Sequence, residues 1–122
     1  MKISQFNPVR NAEVAKELSI VDPLTNAPIE DEKGNKVTFV VKGFLSMQFR
    51  DTNENLPEDM DKSERGAKLL VALIDEIPDN LENEKGEKVT PKNLEQFLKD
   101  EQWVANQIEQ FVIEPANFRP KM

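Results

Sequence analysis

Apolar residues hold alternate positions from Val37 to Phe49: Val37, Phe39, Val41, Leu45, Met47 and Phe49, with Gly43 in the same series, while Thr38, Lys42, Ser46, Gln48 and Arg50 punctuate the others. A period of two is that of a strand with one face on a core, and it predicts a strand as far as Gly43. A bulge or bend fits at the glycine, and beyond it a helix capped by Ser46 is the alternative to more strand. Upstream, Leu18 and Ile20 alternate with polar neighbours, which predicts a short strand. Asp22-Pro23 breaks it into a turn through Thr25 and Asn26. Between the two strands, Glu30 to Lys36 is charged and holds Gly34, and reads as a hairpin loop.

The period then changes. Ala67, Leu70, Val71 and Ile74 recur at spacings of three and four, with Leu69, Leu73 and Ile77 widening the stripe, so a helix is predicted from Lys62 to about Glu76 and ended by Pro78. Asn80 to Lys88, with Gly86, is a second charged turn. Thr90-Pro91 has the form of a cap followed by proline at the first helical position, ahead of an apolar face of Leu94, Phe97 and Leu98. Asp100 can cap a last helix from about Glu101 to Ile113, with Trp103, Val104, Ile108, Phe111 and Val112 on one side and Pro115 closing it.

These elements predict an α+β fold: an N-terminal β-hairpin or small antiparallel sheet followed by a three-helix C-terminal part. In 122 residues they form one domain, divided into a flexible arm (1–14), a β-rich part (15–50), an acidic loop (51–61), a helical part (62–114) and a tail (115–122). The loop assignment rests on five carboxylates, no lysine or arginine, and Pro57.

Composition narrows the chemistry. The net charge of −7 repels a phosphate backbone, so nucleic acid is not an expected partner. No stretch approaches the run of about 18 apolar residues that a membrane helix needs, and no export signal is visible at the N-terminus. The absence of cysteine agrees with a reducing compartment. Histidine, cysteine and tyrosine are all missing, which removes the commonest general bases, thiol nucleophiles and nitrogen ligands. Neither a glycine-rich dinucleotide fingerprint nor a P-loop occurs. Carboxylate-pair hydrolysis remains open by residue type, yet nothing distinguishes one pair among 23 acidic residues. No catalytic residue, cofactor or metal ligand is assigned, and the chain is expected not to be an enzyme.

One apparent motif fails its own test. Asp51, Asn53 and Asn55 stand at positions one, three and five of a calcium loop, but Leu56 replaces the glycine, Pro57 follows, and Lys62 stands where a bidentate glutamate is required. A solvated loop is the expected state. Among the aromatic residues, Trp103, Phe97 and Phe111 fall on apolar helical faces, where core packing is the ordinary role and partner binding the alternative. Phe118 lies outside any periodic segment and is either a staple holding the tail to the domain or an exposed anchor.

The order of several local phrases resembles the tail assembly chaperones of long-tailed bacteriophages. The phrases are an Asp22-Pro23-Leu24-Thr25 turn with Pro28-Ile29, a strand ending Val40-Val41-Lys42-Gly43, then Ser46 and Phe49-Arg50, and an arginine-bearing helix with Leu69-Leu70-Val71-Ala72. Val89-Thr90-Pro91-Lys92-Asn93-Leu94, Trp103-Val104-Ala105-Asn106-Gln107-Ile108 and a closing Pro115-Ala116-Asn117-Phe118 complete the likeness, which covers about residues 18 to 119. Each phrase alone is explained by turns, caps or packing; their order carries the resemblance. The chain departs from the pattern where Phe44-Leu45 separates Gly43 from Ser46, in place of an expected aspartate, and where the acidic stretch 51–61 looks like an insertion.

The resemblance implies a non-catalytic protein of the host cell cytoplasm, absent from the mature virion, that binds and solubilises the tape measure protein during tail assembly. The tail tube protein and a second copy of the chain are further candidate partners. Trp103, Phe111 and Phe118 are the candidate contact residues. Such chaperones are often also made as a longer frameshifted product, and Arg119-Pro120-Lys121 can be encoded with a C-CCA-AAA slippery run. The rival readings are a structural tail or head-tail connector protein, found in purified particles, and an acidic regulator of a basic host protein, whose complex would dissociate steeply with salt.

Overall fold

The computed structural model describes residues 2–119 and has the expected α+β architecture. Strand β1 (Lys16–Ser19) pairs antiparallel with β2 (Thr38–Val41), Leu18 facing Phe39. Helix α2 (Met47–Asn55) follows, then α3 (Lys62–Leu73), strand β3 (Ile74–Glu76), α4 (Leu94–Asp100) and α5 (Gln102–Val112). Strand β3 joins the far side of β2, so the sheet order is β1-β2-β3 with β2 in the middle. Phe39 and Val41 on β2 are fully buried against Leu73 of α3, Leu98 of α4 and Ile108 of α5, which form one core. Burial of such side chains stabilises by about 1.5–3 kcal/mol each, which makes β2 the strand on which the domain depends. Among the described residues no helix is long and apolar enough to cross a membrane.

The strand prediction holds to Val41, and beyond it the helical alternative is the one adopted. Ser46 stands at the N-cap position of α2, although its hydroxyl makes no capping bond and is buried without a hydrogen-bond partner among the described residues. The acidic stretch expected as a loop is therefore helical through Asn55. Only 56–61 connects, and Asp61 caps α3 by accepting from the backbone N–H of Ser63 at 3.1 Å and Glu64 at 3.4 Å. Helix α3 ends three residues earlier than its apolar stripe suggests. Pro78 disfavours helix in the residue before it, and the open edge of β2 offers Ile74 to Glu76 a ladder, with Lys42 N–H donating to Leu73 O at 2.8 Å. Downstream, Thr90-Pro91 opens a turn and the helix proper begins at Leu94, while Asp100 completes α4 instead of capping α5.

The N-terminal arm, expected to be flexible, contains a short helix and touches the domain. Asn7-Pro8 is a cap and first helical position: the Asn7 side chain accepts from Val9 and Arg10 N–H at the start of α1 (Pro8–Ala12). Ala12 is buried, and its carbonyl accepts from Gly43 N–H at 3.0 Å. A Cβ on Gly43 would stand 2.9 Å from Ala12 Cβ and 3.1 Å from Phe118 Cδ2, so the glycine lets both chain ends close on the same point. Arg119, the first residue of the Arg-Pro-Lys frameshift expectation, ends the described chain; Pro120 and Lys121 lie outside it.

Candidate partner-binding surface

Two segments far apart in the chain are near copies. Ile29-Glu-Asp-Glu-Lys-Gly-Asn-Lys-Val-Thr38 and Leu81-Glu-Asn-Glu-Lys-Gly-Glu-Lys-Val-Thr90 share Glu, Glu, Lys, Gly, Lys, Val and Thr at matching places. They fold alike. Asp31 Oδ1 accepts from the N–H groups of Lys33 and Asn35 at 2.9 Å each, and Asn83 Oδ1 accepts from those of Lys85 and Glu87 at 3.0 and 2.9 Å. The glycines take the left-handed backbone that the turn requires, with φ of 82° at Gly34 and 78° at Gly86. The backbones of Glu30 and Lys36, and of Glu82 and Lys88, each pair in a single isolated antiparallel bridge. Asn80 ties one hairpin to the other by donating its side-chain N–H to Asp31 Oδ2 at 3.0 Å. That bond, followed by the Asn35 backbone N–H, holds the Asp31 carboxyl below its ordinary range against a smaller opposing effect of burial.

Between the hairpins opens an apolar cleft of about 420 Å3. Ile29 and Val37 of the first hairpin, Leu81 of the second, and Phe97 and Trp103 of the helices form its walls, and Phe39 lies at its base. The indole of Trp103 is 39% exposed and is held by its Nε1–H donating to Glu101 Oε2 at 2.9 Å. Glu82, Glu84 and Glu101 stand in the rim, and among the described residues no lysine or arginine lines the cleft. The turn at 21–28 is fixed beside it by Gln107 of α5, which donates to Val21 O at 2.8 Å and accepts from Val21 N–H at 2.9 Å. Behind the cleft, Lys68 of α3 and Lys99 of α4 pair with Glu95 at 2.8 and 3.2 Å. The hydrogen bond to Lys68 lowers the Glu95 carboxyl, and the same bond raises the lysine.

The three aromatic residues singled out by sequence do not form one surface. Trp103 lines the cleft. Phe111 lies about 12 Å further along α5 at 1.5 Å per residue and is half-buried. Its ring meets Phe118 edge-on with centroids 5.4 Å apart. Phe118 is 2% exposed, so of its two roles it plays the staple, and it is not available as an exposed anchor. The tail is set for this by Glu114, which accepts from Ala116 N–H, and by Asn117, whose side-chain N–H donates to Phe111 O at 2.9 Å.

Ile29 and Leu81 are the site residues that periodicity alone passed over, whereas Phe97 was read on its helical face, with core packing its ordinary role. Their signal was the ten-residue repeat, which a search for strands and helices reads as two unrelated charged turns. The false calcium motif is also resolved: Asp51, Asn53 and Asn55 lie on α2, and the Arg65 guanidinium donates to Asn53 Oδ1 at 3.0 Å and to Pro57 O. Among the described residues no group of three carboxylates is placed to hold a metal ion. Comparison with family models, with curated proteins and with solved structures finds no match for this chain.

Proposed function

We propose that the chain is a phage tail assembly chaperone that binds and solubilises the tape measure protein during tail morphogenesis, without catalysis. The observation that carries this reading is the open apolar cleft walled by Trp103, Ile29 and Leu81 on a domain of net charge −7. An apolar recess on a highly charged body suits a holding role: the recess covers a partner's exposed apolar side chains, and the charge keeps the complex dispersed. A tape measure protein, long and helical with apolar stripes, is a partner of that kind. The order of sequence phrases from Asp22-Pro23 to Asn117-Phe118 supports the same assignment. The place of action is then the host cytoplasm, with the chain left out of the mature virion, and the tail tube protein is a secondary partner.

The test is co-expression with the tape measure protein of the encoding phage. The expected result is a soluble tape measure protein that co-purifies with the chain at salt concentrations that screen surface charge. An insoluble tape measure protein, with the chain present in purified particles, would replace this reading with that of a structural tail or connector protein.

A further inference from the structure

We propose that the cleft between the two hairpins grips a helical partner segment in which a bulky apolar side chain is flanked by lysine or arginine. This rests on the chaperone reading and names the kind of segment that such a chaperone would hold. The apolar part follows from the walls, because Leu81, Phe97 and the half-exposed Trp103 surround a volume within the range of pockets that take side chains or ligands. The basic part follows from the rim. Glu82 and Glu84 are exposed on one side and Glu101 stands on the other, with no cation lining the cleft among the described residues.

The recess does not stop at Trp103. It continues past Glu84, Phe97 and Glu101 into a smaller depression of about 230 Å3 that adds Glu87 and Asp100, with Lys85 its one cation among the described residues. A groove that is apolar between the hairpins and continues over Phe97 between carboxylates matches an amphipathic helix laid lengthwise, its apolar anchor in the cleft and its cations along the extension. The rim carboxylates remain hydrated, so they select and orient the segment while the apolar anchor supplies most of the affinity. A second copy of the chain fits poorly, because it brings the same net charge of −7 to an acidic rim. A small polar metabolite also fits poorly, because the polar side chains of Glu82, Asn83, Glu84 and Glu101 are outnumbered by the apolar ones that line the cleft.

The probes are two synthetic helical peptides with the same leucine face, one bearing lysines on its polar face and one bearing glutamates. Trp103 is the single tryptophan and reports occupancy of the cleft by its own fluorescence. The lysine peptide is expected to shift its emission to the blue and saturate, and the glutamate peptide to leave it unchanged. Glu82→Lys with Glu84→Lys is expected to weaken the lysine peptide by about tenfold or more. Glu54→Lys with Glu58→Lys, the same change in net charge outside the cleft, is expected to weaken it by less than about threefold.

Equal loss from both pairs would mean attraction to the whole molecule and would overturn the assignment. So would equal binding of the two peptides, peptide binding that leaves Trp103 silent, or a blue shift that grows with protein concentration alone, which would put a second copy in the cleft. If neither peptide binds while the tape measure protein is still kept soluble, the cleft assignment fails and the chaperone reading stands; if both are lost, both fail.

Discussion

The two hairpins share their loop and part company at its end. Each leads through Val-Thr, and the next residue is Phe39 in the first and Pro91 in the second. In the first, Thr38 bonds Ser19 across to β1 at 2.8 Å and the chain runs on as the middle strand, with Phe39 fully buried. In the second, Thr90 N–H donates to Asn93 Oδ1 at 2.7 Å and the chain coils into a turn and then α4. Seven shared residues thus build one local structure twice, and the chain that follows, Phe39-Val40-Val41 or Pro91-Lys92-Asn93, runs into a strand in one case and a turn and helix in the other. The hairpin is a local property; what it feeds is a tertiary one.

The contrast can be broken most strongly by exchanging those residues. Phe39→Pro removes an N–H from the middle strand together with a buried ring, and a loss of more than about 3 kcal/mol in denaturant unfolding is expected. Pro91→Phe, on an exposed turn, is expected to change stability by less than about 0.5 kcal/mol. Next in size are the glycines: Gly34→Ala and Gly86→Ala each force a Cβ into left-handed backbone, and each is expected to cost about 1–2 kcal/mol by the same measurement. A marked inequality between them would show that the two loops are not equivalent.

The smallest effect separates Asp31 from Asn83. Asp31→Ala loses the contact with Asn80 as well as the loop bonds, so its melting temperature should fall further than that of Asn83→Ala. The Asp31 carboxyl is lowered in the folded state from an ordinary value of 3.8. Its stabilisation is therefore present above that pH and is lost as pH falls through the lowered value. Unfolding followed below pH 4 should show a slope that Asp31→Asn reduces and Asn83→Ala leaves in place, the lowered Glu95 carboxyl supplying part of what remains.

Much of the fold was legible because its signals are local or periodic. The alternation around Phe39, the stripe from Ala67 to Leu73 and the face of Leu94, Phe97 and Leu98 all fall on the predicted elements. What escaped was decided at a distance. Strand β3 exists because β2 has a free edge, which no property of Ile74-Asp75-Glu76 announces. The five carboxylates of 51–61 masked a helix whose cover comes from packing beside α3. In the site, Trp103 was legible as an aromatic residue to spare, whereas Phe118 could be assigned only once Gly43 was seen to leave room for it. Ile29 and Leu81 were invisible singly, because each is one apolar residue beside a charged loop, and they become a site only when Asn80 draws the two hairpins together.

The most direct measurement is hydrogen exchange of the backbone amides with and without the lysine-bearing helical peptide. Added protection is expected in 29–37 and 81–89 of the two hairpins and at 101–104 around Trp103, with α2 unchanged. Protection confined to α2 and the N-terminal arm, with both hairpins unaffected, would contradict a partner held between them.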